Sequence, residues 1–364
     1  MSTETGAVLE DAAAIKRRDP GAMLAKIGRF ADQMEAAWGL SRALVMPEQH
    51  RQASAVAVLG MGGSAVCGDL VRAIFSDRLT VPIVSVRDYE LPAWVGAKTL
   101  VVAVSHSGAT EETLTALATA LERRCPVAVI TTGGPLGEVA ARVDLPRLIF
   151  PNETPPRASL GYTMLALAGL LERAGMLPLN DDDVAAGVAA ARSVAAACDV
   201  DKPTDENLAK QVAWSLLDRL PVIEGSGFLA AVARRWKTQI NENSNSTASA
   251  EELPEATHNT VVGYDQPDTL RDHHYIVFLE GRGDNPRNRR RARLSEQMLD
   301  TLGSSHQLVM FDQSGRFAQA CAAIALGDYV SFYLAMLYGV DPSATPALTV
   351  VKETMAEFDA SETD

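Results

Sequence analysis

The chain alternates short apolar runs with segments of helical length, and this alternation limits its possible folds. In the first half the apolar runs are VAVLG, VPIVSV, TLVVAV, PVAVI and LPRLIF, separated by stretches such as SAVCGDLVRAIF and TEETLTALATALERR. Parallel strands that are buried on both faces read as continuous apolar runs, and the connections between them are usually helices. The pattern therefore predicts an α/β fold with a mainly parallel sheet covered by helices on both faces.

The same alternation restarts after residue 204 and divides the chain. LPVIEG and HHYIVFLE are predicted strands of the second half, and its predicted helices are FLAAVARRWKTQI, RLSEQMLDTL and FAQACAAIALGDYVSFYLAMLYG. A length of 364 residues suits two α/β domains. We predict an N-terminal helix and first domain over residues 1–176, a helical connector over 177–204, a second domain over 205–352 and an acidic tail over 353–364.

Two local signals predict helix positions. Apolar residues recur at near-helical spacing over residues 20–45, which predicts one amphipathic helix there. Asp205 precedes ENLAKQVAWSLLDRL, and we predict that it is the N-cap of a helix that starts there.

Net charge and cysteine usage exclude several classes of function. The formal net charge of −13 argues against general binding to nucleic acid or to an anionic membrane, although a local pocket can still hold a small phosphate. The N-terminus lacks the apolar stretch of a signal peptide, and no run approaches the roughly 18 apolar residues of a membrane span. We predict a cytoplasmic protein with no nucleic-acid or membrane partner. Four widely spaced cysteines without a CxxC pair predict free thiols and no zinc site: Cys67, Cys125, Cys198 and Cys321.

Hydroxyl and glycine residues follow two of the predicted strands. The first strand ends in GMGGSA and the third in SHSGATEET. At a strand-to-helix turn, unpaired backbone N–H groups and the positive helix end attract an anion. The first turn alone also matches a dinucleotide fingerprint, with Asp88 as a ribose-binding acid, or an ordinary tight turn. Two hydroxyl-rich turns without a Walker lysine favour a compact phosphate monoester, held by Gly62, Gly63, Ser64, Ser105, Ser107 and Thr110.

These motifs carry a specific resemblance. GMGGSA, SHSGATEET and the TTGG of PVAVITTGGPL resemble the phosphate turns of sugar isomerase (SIS) domains, and the chain is most similar to the bifunctional phosphoglucose/phosphomannose isomerases from about Leu59 to Lys352. The resemblance implies two SIS-type, flavodoxin-like domains in a homodimer that acts in glycolysis or gluconeogenesis. It also implies an aldose–ketose isomerase that works through a cis-enediol without cofactor or metal.

The resemblance assigns the residues of proton transfer. This chain has Asn241-Glu242-Asn243 and, further on, Pro254-Glu255-Ala256-Thr257-His258-Asn259, the two motifs of the family. By resemblance, Glu242 moves the proton between C2 and C1, and His258 opens the sugar ring from the other subunit of the dimer. Without the family context, Glu242 reads as a solvated acid and His258 as a structural histidine. The other histidines show no ligand spacing, which predicts no metal.

Three further residues follow from the same resemblance. Arg157, in PPRA, matches the arginine that stabilises the enediolate, although a surface arginine is the plain alternative. Lys352 matches a lysine that assists ring opening. Thr345 matches the threonine that replaces a bulkier glutamine and leaves room for both the glucose and mannose epimers.

Other interpretations remain open at this stage. The chain could be a non-catalytic sugar-phosphate sensor, an isomerase of an aminosugar phosphate, or, least favoured, an NAD(P) oxidoreductase. The basic segment 282–293, RGDNPRNRRRAR, has no catalytic explanation. A solvated face paired with acidic neighbours is the simplest reading, with Asn285 as N-cap and Pro286 as first helical residue.

Overall fold

Two parallel β-sheets organise the chain, and a computed structural model describes residues 7–362. The first sheet contains β1 (Ala55–Leu59), β2 (Ile83–Val86), β3 (Thr99–Ser105), β4 (Val127–Thr131) and β5 (Arg147–Ile149), in the order β2-β1-β3-β4-β5. The second contains β6 (Leu220–Ser226), β7 (Ser249–Leu253), β8 (His274–Gly281) and β9 (Ser305–Phe311), in the order β7-β6-β8-β9. The strand pairs of both sheets are parallel in the described residues, which confirms the predicted fold class.

Helices connect the strands. In the first half they are α1 (Ala12–Arg18), α2 (Met23–Gly28), α3 (Phe30–Arg42), α4 (Glu48–Arg51), α5 (Gly62–Ile74), α6 (Glu111–Glu122), α7 (Gly134–Arg142), α8 (Leu160–Arg173) and α9 (Asp181–Ala197). In the second half they are α10 (Leu208–Leu216), α11 (Phe228–Ser244), α12 (Thr260–Gly263), α13 (Asp268–Arg271), α14 (Pro286–Leu302), α15 (Arg316–Tyr338) and α16 (Pro346–Glu362). Short 3₁₀ turns cover Val8–Glu10, Pro156–Ala158, Thr204–Glu206 and Glu255–His258.

Strand β3 shows why its sequence is apolar throughout. Successive side chains of a strand point to opposite faces of the sheet. Val101 and Ala103 belong to a cluster with residues of α6 and α7, whereas Leu100 and Val102 belong to a larger cluster with residues of α5 and α8. Both faces of the first sheet are therefore covered, as the continuous run TLVVAV predicted.

Helix α15 lies at the centre of the molecule. It packs against α9, α10 and α11, and its residues from Phe317 to Leu337 are buried. By length and composition this helix could cross a membrane, so the expectation that no run is apolar enough was wrong. Its apolar surface is instead covered completely by the rest of the protein.

Several local predictions were wrong in detail. The helix predicted over residues 20–45 is two helices, α2 and α3, joined at Arg29. The N-cap of α10 is Asn207, whose side chain accepts from the Lys210 N–H, while Asp205 lies in the preceding 3₁₀ turn.

Asn285 and Pro286 take the predicted N-cap and first-turn positions of α14. The backbone of the predicted acidic tail is helical as far as Glu362, and residues 363–364 lie outside the described residues.

Candidate active site

Three strand-to-helix turns of the first sheet lie together. The Ser64 hydroxyl of the first turn accepts from the His106 N–H of the second at 3.2 Å. Gly108 of the second turn has φ +67° and lies so close to the third turn that a Cβ there would be 1.9 Å from the Gly133 oxygen. The turns meet because parallel strands end at the same edge of the sheet, so their hydroxyls and N–H groups face one region.

The predicted phosphate-binding residues lie on the first two of these turns and are called here the cradle. Ser105 is buried and its hydroxyl lies 2.8 Å from the Thr110 hydroxyl at the start of α6. Ser107 is exposed and accepts from the Ala109 N–H at 3.2 Å. Gly62, with φ +48°, begins α5. Neither α5 nor α6 has a side-chain cap, which is the arrangement that leaves first-turn N–H groups available to an anion.

The first glycine turn packs directly on the loop that carries Arg157. A Cβ on Gly63 would lie 3.1 Å from the Pro156 oxygen and 3.4 Å from the Arg157 nitrogen, so glycine permits this close approach. The phosphate turns and Arg157 are therefore neighbours in space.

Arg157 reaches from the first half of the chain to the second. Its Nε donates to Asn243 Oδ1 at 2.8 Å, and its Nη2 donates to the Pro342 and Ser343 carbonyls at 2.8 and 3.0 Å. Its Nη1 lies 3.8 Å from Glu242 Oε2. Burial lowers the pKa of Arg157, and the Glu242 carboxylate opposes that shift. The structure thus brings together two residues that the resemblance placed at the reaction centre.

Glu242 and Thr345 line one cavity of about 420 Å³. Its lining residues are Asn241, Glu242, Asn245, Ser246, Thr247, Thr345, Pro346, Ala347 and Leu348. This volume lies in the usual range of small-molecule sites. The side chain of Glu242 is 29% exposed, and its carboxylate faces the cavity. The side chain of Arg157 is only 6% exposed, so its guanidinium lies buried behind that carboxylate.

Three residues that the sequence analysis did not identify form a buried network that reaches Arg157 through Arg235. Arg235 Nη2 donates to the Arg157 carbonyl at 2.7 Å and pairs with the Asp328 carboxylate at 3.1 Å. Gln239 Nε2 donates to Asp328 Oδ1 at 2.8 Å. Burial raises the pKa of Asp328, and the Arg235 guanidinium opposes that rise. The spacing Arg235, Gln239, Glu242 follows one face of α11, a periodic signal that could have identified Arg235 and Gln239. Asp328 lies on α15 and carries no such signal.

His258 and Lys352 stand apart from this cavity within the described chain. His258 ends the 3₁₀ turn after β7 and is exposed, and Lys352 is exposed on α16. Neither lines the cavity with Glu242. Lys352 is four residues beyond the lining residue Leu348 and so lies on the same face of its helix.

The second half repeats the glycine turn without the hydroxyl cradle. Both halves carry G-x-G-x-x-A, at residues 60–65 and 225–230, and Gly62 and Gly227 have φ of +48° and +54°. At the position of Ser64 the repeat has the buried Leu229. Near it the buried Asp284 carboxylate accepts from the Gly281 N–H at 2.9 Å. The hydroxyl-lined cradle belongs to the first half.

Cysteines and metal-ligand residues offer little further chemistry. All four cysteines are free and buried, as predicted, and burial raises the pKa of Cys67 to about 12 and of Cys198 to about 11. Such thiols are poor nucleophiles. Among residues 7–362, no three His, Cys, Asp or Glu side chains form a group that could hold a metal ion.

Comparison with known proteins shows which family the chain belongs to. Residues 205–355 match the family described as bacterial phospho-glucose isomerase C-terminal SIS domain. The chain is 34% identical to the bifunctional phosphoglucose/phosphomannose isomerase of Caldicellulosiruptor bescii, over 92% of this chain and 99% of that protein. It is 30% identical to the protein of the same name from Thermoplasma volcanium, over 83% of this chain and 91% of that one.

A solved structure shares the fold. The crystal structure of a hypothetical protein from Thermus thermophilus matches with a TM-score of 0.78 at 18% identity, over 98% of this chain and 96% of that one. The fold is that of two SIS-type domains, and the curated relatives define the chain as an isomerase of sugar phosphates. The chain belongs to the family of bifunctional phosphoglucose/phosphomannose isomerases, which confirms the predicted family and enzyme class.

Proposed function

We propose that the chain interconverts glucose 6-phosphate and mannose 6-phosphate with fructose 6-phosphate through a cis-enediol. The observation that carries this proposal is the contact between Arg157 and Glu242 beside the phosphate turns. Moving a proton between C2 and C1 requires a carboxylate base and a cation for the enediolate oxygens. A phosphate at Gly62, Gly63, Ser64, Ser105, Ser107 and Thr110 would fix one end of the sugar, with its reactive carbons directed toward Glu242.

The roles of the two charged residues follow from their surroundings. Glu242 is partly exposed in the cavity, so it can take a proton from C2 or C1 of the sugar and return it to the other carbon. Arg157 is fixed by three hydrogen-bond acceptors and stays charged, so it would stabilise negative charge without moving. Thr345, across the same cavity, would leave room for C1–C2 rotation and thus for both epimers.

Ring opening is assigned to His258 and Lys352, with His258 contributed by the partner subunit of a cytoplasmic homodimer. His258 is exposed at one end of the second sheet, and Val262, close to it in sequence, is 75% exposed. Helix α16 leaves Val350 and Val351 61% and 60% exposed. Exposed apolar side chains of this kind favour a protein interface, which would place His258 beside a second copy of the cavity.

Proton NMR of fructose 6-phosphate in D₂O, without added metal, tests this function. Glucose 6-phosphate and mannose 6-phosphate should both appear with deuterium at C2. Glu242→Gln should abolish both products while keeping the fold, and Glu206→Gln, which changes an exposed acid, should leave them unchanged. No conversion by the unaltered protein, despite phosphosugar-dependent thermal stabilisation, would instead indicate a sugar-phosphate-binding protein or another phosphosugar substrate.

A further inference from the structure

The proposed ring-opening histidine lies on a short turn that is anchored at its base. Residues 254–260, called here the His258 turn, connect β7 with α12. Ala256 is buried against the second sheet, whereas His258 is exposed. The buried Ala256 therefore anchors the turn, and the imidazole of His258 points outward from it. The orientation of the imidazole depends on contacts that neighbouring residues make.

A buried hydrogen bond anchors the chain just after the turn. Tyr264 donates from its hydroxyl to Glu224 Oε1 at 2.6 Å, and the two residues are 6% and 2% exposed. Thr260 donates to Glu251 Oε2 at 2.9 Å, which adds a second link to the sheet. Glu224 lies on β6 and Glu251 on β7, where they are partners in register, so both links reach the same face of the sheet.

The arginine-rich helix anchors the turn itself. Arg291 Nη1 of α14 donates to the Thr257 hydroxyl at 2.7 Å, and that hydroxyl donates to the Pro254 carbonyl at 2.7 Å. Thr257 immediately precedes His258. Arg293, on the same helix, pairs with the buried Glu280 of β8 at 3.4 Å and with Glu296 at 2.8 Å. Arg291 and Arg293 of the basic segment therefore contact residues near the carboxyl ends of the strands. The sequence had suggested only a solvated face for this segment.

We propose that Arg291, Tyr264 and Glu224 are positioning residues that hold His258 in the geometry needed for ring opening. This inference rests on the proposed role of His258. A general acid or base must lie within hydrogen-bond reach of the ring oxygen and its proton, and a displacement of about 1 Å can cost as much as 100-fold in rate. Contacts on either side of His258, from α14 and from β6, would limit such displacement.

Two substrates separate ring opening from proton transfer. Fructose 6-phosphate is mostly a closed furanose and needs ring opening, whereas 5-deoxyfructose 6-phosphate lacks the hydroxyl that closes this ring. For the full chain we would measure turnover of fructose 6-phosphate and deuterium exchange at C1 of 5-deoxyfructose 6-phosphate. The test variants are Tyr264→Phe and Thr257→Val, which remove one hydroxyl each with little change of shape. Glu224→Gln keeps an acceptor for Tyr264, and Tyr275→Phe is a matched control that removes a hydroxyl bound to Gln307 elsewhere on the sheet.

We expect kcat with fructose 6-phosphate to fall by about 10-fold in Tyr264→Phe and Thr257→Val, while exchange on the acyclic substrate stays within about 2-fold. Glu224→Gln should retain most of the activity, and Tyr275→Phe should match the unaltered protein. An equal loss on both substrates would show a merely structural role and overturn the inference.

His258→Asn distinguishes this inference from the function on which it rests. His258→Asn could lose activity only with the cyclic substrate while Tyr264→Phe and Thr257→Val lose none. That result would overturn the inference but leave the role of His258 intact. If His258→Asn loses activity with neither substrate, or loses it equally with both, the assigned role of His258 is overturned and this inference with it.

Discussion

Arg157 shows how hydrogen bonds can fix a single buried side chain. Its Nε and Nη2 donate to Asn243 and to two backbone carbonyls, and Nη1 faces Glu242. The planar fork of a guanidinium can make all these contacts at once, whereas a lysine ammonium cannot. The side chain is therefore suited to stabilise an enediolate without reorganisation during the reaction.

Arg157→Lys should lower kcat with fructose 6-phosphate by about 100-fold, because the charge remains but its placement is lost. The melting temperature should also fall, because the acceptors at Asn243, Pro342 and Ser343 lose their donors. The measurement is steady-state kinetics together with a thermal melt. Arg192→Lys, which changes an exposed arginine paired with Asp32 and Glu35, is the control and should have little effect. A loss below about 3-fold in Arg157→Lys would contradict the assigned role.

We expect Glu224 to make the stability of the fold depend on pH. Burial raises its pKa from 4.5 to about 7, the Glu251 charge adds to the rise, and the Tyr264 hydroxyl opposes it. A carboxyl whose pKa is raised by folding binds its proton more tightly in the folded state, so its stabilising effect is present below pH 4.5 and lost as pH rises through 7. The lost free energy of unfolding amounts to about 3 kcal/mol at most.

Urea unfolding between pH 5 and pH 8 tests this dependence. Glu224→Gln cannot ionise, so its stability relative to the unaltered protein should increase with pH over this range. Glu122→Gln, on an exposed face of α6, should run parallel to the unaltered protein. Parallel curves for Glu224→Gln as well would mean that Glu224 is already ionised in the folded state at pH 5.

At the level of elements, continuous apolar runs predicted every strand of the first sheet, including its edges β2 and β5, but only the central strands of the second sheet. The sequence analysis identified β6 and β8, which occupy the centre of the second sheet, but missed β7 and β9, which form its edges. Strands β7 and β9 are partly exposed, and such an edge strand can form without a continuous apolar run. The segment SAEEL of β7 is largely polar, and its position is set by pairing with β6 and not by its own composition.

The glycine turn at Gly108 depends on a backbone that only glycine adopts easily. Gly108→Ala should raise KM for the phosphosugar by about 10-fold or more, because a Cβ would force the second and third turns apart and displace the cradle. Kinetics with fructose 6-phosphate measure this effect. Gly96→Ala is the matched control, because a Cβ there meets no atom within 4 Å. An unchanged KM in a folded Gly108→Ala variant would argue against phosphate binding at these turns.

At the level of the whole molecule, the closeness of the turn hydroxyls could be predicted from sequence, but the contact between Arg157 and Glu242 could not. The hydroxyls of Ser105 and Thr110 are local to one turn, so the strand-to-helix pattern was enough to place them together. Arg157 and Glu242 are on different halves, and their contact depends on the packing of α5 against α11 and on the buried Asp328 network. Resemblance supplied these two residues without their geometry.

The proposed homodimer makes a specific prediction about mixed subunits. If each active site combines Glu242 of one subunit with His258 of the other, Glu242→Gln and His258→Asn are each inactive alone. Equal mixing, with subunit exchange, makes half of the dimers mixed, and each mixed dimer has one site with both native residues. Activity should recover to about a quarter of that of the unaltered protein.

Arg157→Lys mixed with Glu242→Gln is the matched control, because these residues are in contact within one chain and every mixed site keeps one defect. That mixture should stay near the low activity of its parts. Exchange is verified by mass spectrometry of the native dimers. If the exchanged dimers of Glu242→Gln and His258→Asn remain inactive, His258 acts at the site of its own chain. Because His258 is exposed and lies away from the cavity with Glu242, the His258 turn would then have to move within one subunit.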